Sequence, residues 1–367
     1  MIRFFLVLAL VLCLVPAGAL AERVLSPGAQ ITVWTVGPGK ELYAAFGHTA
    51  LRISDPVLGF DRLYNFGTFD FNTPWFYLKF IRGDLDYFLT VAVTPEVLLD
   101  YQANGQLVIE QTLDLTPEER DALFLQMEAN LRPENAAYRY DFVRDNCTTR
   151  VRDAVEKVVP LAWPDKPSRQ TLRQMVQPYV ANRPAIQTGI NLLFGSTMDR
   201  EATAREAHFL PAEMESAFDT ATVKTGGRRL VKQTATLQTG PAVPVPRWNW
   251  WVPLSYALAM GGGWAAWKNR REWAPLDKVL FVGAGLVGCL LLFFWVGTRH
   301  WVLHANWNLV WALPTHLVVW FLPRKSREIY WALFTVVMLI ATLLAPLAAM
   351  GFCALLAVRA MALASGR

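Results

Sequence analysis

The chain has 367 residues and a formal net charge of +5, and 53% of its residues are hydrophobic. That length accommodates two domains. The basic excess is modest and lies largely in short clusters beside apolar segments, without a basic stripe interleaved with aromatics, which argues against nucleic acid as a partner. Of the 15 Trp residues, 12 lie at or after Trp248. Composition therefore divides the chain near residue 247 into a globular part and an apolar part.

The N-terminal residues 1–21 are typical of a secretory signal peptide. Arg3 precedes a short apolar run, and small residues at Ala19 and Ala21 mark a cleavage site. The alternative is an uncleaved anchor. In both cases the chain from residue 22 onward is expected to be exported.

Four later segments are long and apolar enough to cross a bilayer. They are Trp251–Trp267, Val279–Thr298, Ala305–Leu322 and Ile329–Met350. They predict an all-α transmembrane bundle of about four helices within residues 251–367. The stretch Gly351–Arg367 either extends the last helix or lies at the membrane surface, and the sequence leaves this open.

Basic residues between these segments predict the orientation. They are Lys268, Arg270 and Arg271 in one loop and Arg324, Lys325 and Arg327 in another. The positive-inside rule places both loops in the cytoplasm. Residues 22–239 then form a periplasmic domain, joined by a Pro-rich linker over residues 240–250 to a multi-pass protein of a bacterial inner membrane.

The exported domain has an α+β pattern. Short β-prone runs at 31–36, 50–53 and 63–67 predict strands, the last two forming a hairpin. A helix is expected after Pro95 up to Asn104, then a strand over Leu107–Leu113. A capping box at Thr116-Pro117-Glu118-Glu119 predicts a helix start. Further helices are expected over 151–158, 171–180 and 211–221, with a last strand over 229–237.

The chain has four cysteines, too few for a disulfide scaffold. Cys13 is in the leader and Cys289 and Cys353 are in apolar segments, so Cys147 is the lone thiol of the exported domain. Such a thiol is either a buried small hydrophobe or a reactive group. Asp145 or Asn146 is a good N-cap, which places the sulfur in the first helical turn.

At a helix N-terminus, unpaired backbone N–H groups and the helix dipole favour a thiolate. Polar neighbours also argue against a core position, so Cys147 is a candidate nucleophile. A nucleophilic cysteine needs a base. The exported domain offers His48, which enters a strand after a glycine, and His208, which lies in a polar helical stretch. Gly47 permits close approach of another backbone, and we expect His48 to be the base.

In papain-type peptidases a cysteine begins a helix and a histidine lies on a facing strand, and geometry rather than chain order defines such sites. The segments GHTALRI, YNFGTFDF and YDFVRDNCTTR resemble the N-terminal periplasmic domain of Lnb-type lipoprotein N-acyltransferases. More distantly, they resemble the circularly permuted papain-like group that includes lecithin:retinol acyltransferase. The resemblance covers roughly residues 25–220 and implies a circularly permuted papain-like (NlpC-like) domain.

The resemblance also implies roles for individual residues. Cys147 would be the nucleophile and His48 the base, and Asn65 would orient the imidazole from the following strand. Lecithin:retinol acyltransferase-like proteins have a His where this chain has Asn65. Asp70 is the alternative orienting residue.

Several polar residues are candidates for substrate binding. His304, Asn306 and Asn308 lie at the outward end of the third expected span. Polar side chains in a span are costly and are often functional, although hydrogen bonding within the bundle explains them equally well. Asn146 and Arg144 are further candidates beside the thiol. His316, beside Pro314, is interpreted as structural.

The leading hypothesis is acyl transfer through a Cys147 thioester, with no metal or other cofactor. The resemblance implies a phospholipid as acyl donor and a diacylated lipoprotein as acceptor. One alternative is a papain-like hydrolase of cell-wall peptides or lipid esters that uses the same residues. The other is a non-catalytic envelope assembly factor.

Overall fold

The computed structural model describes residues 24–164, 168–241, 261, 274–344 and 347–365. The expected signal peptide, most of the expected linker and, apart from Gly261, the first expected span lie outside the described residues.

A seven-stranded antiparallel sheet forms the centre of the N-terminal domain, with strand order β6-β4-β3-β2-β1-β5-β9. A separate antiparallel pair joins β7 and β8. The strands are β1 Gln30–Val36, β2 His48–Asp55, β3 Phe60–Thr68, β4 Asp86–Val93, β5 Val108–Leu113, β6 Ala137–Arg139, β7 Leu161–Ala162, β8 Thr222–Val223 and β9 Val231–Gln238.

Nine described helices accompany these strands in the N-terminal domain. They are α1 Phe76–Arg82, α2 Thr94–Ala103, α3 Pro117–Asn130, α4 Pro133–Ala136, α5 Cys147–Val158, α6 Leu172–Val180, α7 Pro184–Leu193, α8 Ala204–Ala207 and α9 Pro211–Thr220. The expected capping box is confirmed at α3, where Thr116 and Glu119 bond reciprocally.

Helices cover both faces of the sheet. Because side chains alternate along each strand, neighbouring residues of β2 pack on opposite faces. On one face Leu51 and Ile53 of β2 pack with Val151 and Val155 of α5. On the other, Ala50 packs in a cluster that α2 covers. Each fully buried aliphatic side chain contributes roughly 1.5–3 kcal/mol. Helix α5 is thereby fixed against the central strands.

The expected strands and helices of this domain are confirmed, within a few residues at their ends. Helices α1, α4 and α7 were not predicted, and neither were strands β4, β6, β7 and β8. Helix α1 begins after Trp75, which has a left-handed backbone with φ of 61°, and ends at Gly83, with φ of 74°. For Trp75 that conformation costs roughly 1–3 kcal/mol, which the surrounding contacts must offset.

In the described C-terminal region three α-helices have defined bounds. They are α10 Ala274–Val296, α11 Arg324–Leu344 and α12 Leu347–Ala364. Within the described residues, Pro275–Val296 and Arg324–Leu343 are long and apolar enough to cross a membrane. Helix α12 packs back on α11 through Leu356 and Ala360. The stretch after residue 350, which the sequence left open, therefore belongs mostly to a separate helix.

The prediction of a spanning helix over Ala305–Leu322 is wrong. This stretch and the residues just before it form four short 3-10 helices, Trp301–Leu303, Trp307–Val310, Pro314–Leu317 and Val319–Phe321. Pro314 cannot donate a helical hydrogen bond. Hydropathy alone therefore overestimated the number of regular spanning helices among the described residues.

Irregular backbone at membrane depth requires partners within the protein. Here the chain runs back along α10, where a Cβ on Gly288 would lie 1.8 Å from the Ala312 carbonyl oxygen. His316 donates from Nε2 to the Trp311 carbonyl at 3.1 Å, and its Nδ1 accepts from the Tyr330 hydroxyl at 2.8 Å. This supports the structural interpretation of His316.

Candidate active site

Cys147 is the first residue of α5, and Asn146 is its N-cap. Asn146 Oδ1 accepts hydrogen bonds from the backbone N–H groups of Thr148 and Thr149, both at 2.9 Å. Thr149 Oγ1 in turn accepts from the Asn146 N–H at 2.8 Å. This capping box places the thiol at the positive end of the helix dipole.

His48 is the first residue of β2, and a tight turn at Gly47 positions it. Gly47 has φ of +80°, and a Cβ there would lie 2.4 Å from the Val36 carbonyl oxygen. The expected close approach of another backbone at this glycine is therefore confirmed. Only glycine permits the turn that aims His48 at the start of α5.

A bulge in β3 makes room for the thiol. Strand pairing becomes irregular between Phe66 and Thr68, and Gly67 between them has φ of +94°. A Cβ on Gly67 would lie 3.7 Å from Cys147 Cβ. The bulge thus places the β3 backbone directly beside Cys147.

The structure brings His48, Asn65 and Cys147 together. His48 Nε2 lies 3.1 Å from Asn65 Oδ1. Asn65 Nδ2 donates to the Leu63 carbonyl at 3.2 Å, which fixes the amide so that its oxygen faces the imidazole. Nε2 is therefore the donor to Asn65, and Nδ1 is the ring nitrogen that remains to interact with Cys147, whose charge raises the pKa of His48.

The environment lowers the pKa of Cys147 to about 7. Burial acts most strongly and favours the neutral thiol. It is outweighed by the charge and hydrogen bond of His48, with further hydrogen bonds from the Thr49 N–H and the Thr148 hydroxyl. Burial also opposes ionisation of His48, but the thiolate and Asn65 raise its pKa above the usual value. The two shifts together favour a thiolate–imidazolium pair.

Tyrosine rings enclose the thiol on the β4–β6 side. Burial, and next the nearby Cys147 thiolate, hold the pKa of Tyr140 well above its usual value. Tyr138 is only 7% exposed, and its hydroxyl has no hydrogen-bond partner among the described residues. That hydroxyl would lie 3.9 Å from a Cβ on Gly67. Sequence reasoning missed Tyr138, because only the strand pairing brings it beside Cys147.

Asn146 was expected to contact substrate, and in the structure its polar atoms are occupied by bonds within the protein. Both hydrogens of its Nδ2 are used, on the carbonyls of Phe142 and Phe209 at 2.9 Å each. With the two bonds to Oδ1 its polar groups are saturated, and the residue is 4% exposed. Asn146 positions Cys147.

Arg144 is exposed, and its guanidinium carbon lies 3.8 Å above the Trp301 ring. This cation–π contact links the loop before Cys147 to the membrane region. The neighbouring Asp145 forms an ion pair with Arg150 at 2.6 Å. A role for Arg144 in binding an anionic headgroup stays a prediction.

Asn306 and Asn308, expected either to bind substrate or to form hydrogen bonds within the bundle, bond instead to carbonyls of the N-terminal domain. Asn306 Nδ2 donates to the carbonyls of Leu192 and Leu193 at 2.8 and 2.9 Å. Asn308 Nδ2 donates to Leu192 at 3.0 Å. Both side chains therefore satisfy carbonyls at the C-terminal end of α7, which lack helical partners.

His304 lies at the same joint. A Cβ on Gly195 would lie 1.6 Å from the His304 carbonyl oxygen, so the two backbones touch. The Gly195 N–H donates to the Val302 carbonyl at 2.8 Å. His304 Nε2 is buried without a partner among the described residues. Substrate contact by His304 stays a prediction.

His208 and Asp70 were the alternatives to His48 and Asn65, and both have partners away from the thiol. His208 packs on Trp163 with ring centroids 4.8 Å apart, and burial, assisted by nearby Arg152, lowers its pKa to about 4. Asp70 is exposed and accepts from the Asn72 N–H at 2.8 Å within its own turn. Asn65, and not Asp70, lies within hydrogen-bond distance of His48.

Comparisons with known proteins match two family models. Residues 22–177 match the Lnb N-terminal periplasmic domain, and residues 250–364 match the Lnb transmembrane domain. No curated protein and no solved structure matches the chain. The two models belong to one family, lie in the order expected and together cover more than half of the chain. The chain therefore belongs to the Lnb family, as a membrane-anchored protein with a mixed α/β periplasmic domain and a helical membrane region.

Proposed function

We propose that this protein is a membrane-bound lipoprotein N-acyltransferase. It would move an acyl chain from a phospholipid, through a thioester on Cys147, to the α-amine of an N-terminal diacylglyceryl-cysteine. The observation that carries the proposal is that Cys147 begins α5 beside His48 of β2, where the next residues, Thr148 and Thr49, lie with their hydroxyl oxygens 3.1 Å apart. In this setting His48 lowers the pKa of Cys147 to about 7 against the opposing effect of burial. Membership of the Lnb family supplies the lipoprotein substrate class.

In the first half-reaction His48 takes the proton of Cys147 through Nδ1. The thiolate attacks the ester carbonyl of the phospholipid, and the carbon–oxygen ester bond then breaks. The leaving alkoxide takes the proton from the imidazolium and departs as a lysophospholipid. Cys147 is left as an acyl thioester.

In the second half-reaction the free α-amine of the lipoprotein attacks the thioester carbonyl. His48 accepts a proton from the amine, and the carbon–sulfur bond breaks to release the amide and the thiolate. Such a double displacement predicts ping-pong kinetics. The order of release, lysophospholipid before acceptor binding, is the kinetic signature of this proposal.

Both tetrahedral intermediates carry an oxyanion that needs donors. The Cys147 backbone N–H, at the N-terminus of α5, is the first candidate. The second is the Tyr138 hydroxyl, which is buried beside Gly67 and unpartnered among the described residues. Asn65 acts as a positioning residue through its hydrogen bond to His48.

We also propose that the periplasmic domain is a circularly permuted papain-like fold. Support comes from a cysteine at a helix N-terminus that faces a histidine on an antiparallel sheet, with the histidine first in the chain. A multi-pass inner-membrane location with this domain in the periplasm is part of the same proposal. The two apolar helices α10 and α11 and the basic cluster at the start of α11 support it.

Product analysis distinguishes transfer from hydrolysis. Full-length protein in lipid nanodiscs is incubated with a diacylated lipopeptide, and both triacylated lipopeptide and free fatty acid are quantified. Transfer predicts acylated lipopeptide, lost in Cys147→Ala and retained in Cys289→Ala, which changes a cysteine in the membrane region. Fatty acid release without lipopeptide acylation would identify a hydrolase. Full function of Cys147→Ala in cells would identify a non-catalytic assembly factor.

A further inference from the structure

Helix α1 and the turn before it expose a continuous group of large apolar side chains. We call this group the aromatic surface, and it comprises Phe71, Trp75, Tyr77, Leu78, Phe80 and Ile81. Trp75 is 78% exposed, and α1 buries none of its residues. Apolar patches of this kind on a folded domain mark an interaction site.

The aromatic surface lies where α10 ends, at the border of the membrane region. His300 Nε2 donates to the Phe80 carbonyl at 2.8 Å, and the Arg299 N–H donates to the Arg82 carbonyl at 2.9 Å. These residues follow the end of α10 at Val296 by only a few positions. The hydrogen bonds therefore hold α1 against the residues that follow the candidate membrane span α10.

The thiol site lies at the end of the β2–β3 hairpin that is next to the aromatic surface. Leu51 of β2 pairs with Tyr64 of β3, and extending this register by three residues brings His48 opposite Gly67. Strand β3 then continues into the aromatic surface. The opposite end of the hairpin is the turn at Val57 and Leu58, roughly 24 Å away along β2.

Aromatic rings continue from this surface to the thiol. Phe76 of α1 lies 5.9 Å from Phe69, which lies 5.4 Å from Tyr87, and Tyr87 stacks on Tyr140 at 4.7 Å. Tyr140 lies close enough to Cys147 to sense the charge of the thiolate. The row of rings forms an apolar connection between the exposed aromatic surface and the partly buried Cys147 thiol.

We propose that the aromatic surface inserts into the outer leaflet of the membrane that α10 crosses, and that the row of rings guides a phospholipid acyl chain to Cys147. The occupant is phospholipid rather than a protein partner, because the surface is continuous with a spanning helix. Trp and Tyr are enriched at this depth. The aromatic surface is bordered by three basic residues, Lys79, Arg82 and Arg299. Asp84 forms ion pairs with both arginines, and its single negative charge leaves a positive excess for lipid phosphates. Insertion is independent of the proposed function, whereas delivery of the acyl chain rests on it.

Site-specific photocrosslinking tests insertion. A photoreactive amino acid replaces Trp75 in one full-length protein and Tyr77 in another, and replaces Val57 in a control that is 74% exposed at the far end of the hairpin. After illumination in phospholipid nanodiscs, mass spectrometry should find phospholipid adducts at positions 75 and 77 at least about tenfold above position 57. Equal adducts, no adducts, or crosslinks to a second protein copy would overturn the proposal.

Delivery is tested separately with the double variant Trp75→Ser, Tyr77→Ser and the matched control Val57→Ser, Leu58→Ser. Thioester formation from phospholipid vesicles should fall roughly tenfold in the first and stay at the parent level in the second. Alkylation of Cys147 by iodoacetamide at equal rates in both verifies that the thiol site is intact. Unchanged thioester formation in the first variant would overturn delivery. If the parent protein forms no thioester at all, the proposed function fails, and the crosslinking result still decides insertion.

Discussion

Asn65 holds His48 through one hydrogen bond, with 3.1 Å between Asn65 Oδ1 and His48 Nε2. Asn65 is itself held by the Leu63 carbonyl of its own strand. The imidazole is therefore fixed from the sheet, and its other nitrogen is directed at the helix that begins with Cys147. The orientation of the imidazole therefore depends on an amide of strand β3.

Replacing Asn65 with Ala should slow thioester formation on the order of 10²-fold, because a displaced base loses its attack geometry. The pKa of His48 should fall, since the Asn65 bond is one of the influences that raise it. Asn65→His, which restores an acceptor on the same strand, should recover most of the rate. The pH profile of single-turnover acylation measures both effects. Equal rates and profiles in Asn65→Ala and the parent protein would remove the positioning role.

His48→Gln should raise the pKa of Cys147. In the parent protein the pKa of Cys147 is about 7, because the effect of His48 on the thiol outweighs that of burial. Without His48, burial favours the neutral thiol. The thiolate present above pH 7 in the parent should then appear only above the ordinary thiol range. The rate of iodoacetamide alkylation as a function of pH reports this shift. His208→Gln is the control, and its profile should match the parent, whereas an unchanged midpoint in His48→Gln would contradict the pairing.

Tyr138→Phe should lower the acylation rate by about 10²–10³-fold at most. That is the usual effect of losing one hydrogen-bond donor to an oxyanion, on the order of 3 kcal/mol. Binding of phospholipid should change little, because the ring remains. The measurement is kcat against KM. A loss confined to KM would mean that the hydroxyl of Tyr138 binds substrate and does not stabilise the intermediate.

Asn306→Ala should destabilise the joint between the two regions by about 1–3 kcal/mol, because it removes two hydrogen bonds and leaves the partly buried Leu193 carbonyl without its Asn306 donor, whereas Asn308 still bonds Leu192. We expect a lower apparent Tm and faster limited proteolysis near residue 195. Asn104→Ala removes one exposed local hydrogen bond and should leave both unchanged. Identical behaviour of the two variants would show that Asn306 does not join the regions.

Local signals predicted much of the periplasmic domain. The helix starts at Thr116 and Asn146 depend on side chains within three residues of the cap, so the sequence alone suffices. The Gly47 turn was predictable for the same reason. These features also identified Cys147 and His48 as the candidate pair.

The failures concern features that depend on distant contacts. Helix α1 is held by Arg299 and His300, more than two hundred residues later in the chain. The unpartnered hydroxyl of Tyr138 is defined only by tertiary packing. The irregular segment after residue 300 is as apolar as a helix, and Pro314 was the signal against regular helix. Hydropathy reports the environment of a segment but not its backbone conformation.

The central claim is that the Cys147 sulfur accepts an acyl group from phospholipid, and intact mass spectrometry tests it most directly. Full-length protein is exposed to phospholipid of defined chain length and its mass is measured before and after hydroxylamine. We predict one added acyl mass that hydroxylamine removes, present in the parent and in Cys289→Ala and absent in Cys147→Ala. An unmodified parent mass, or an adduct that persists in Cys147→Ala, would contradict the account.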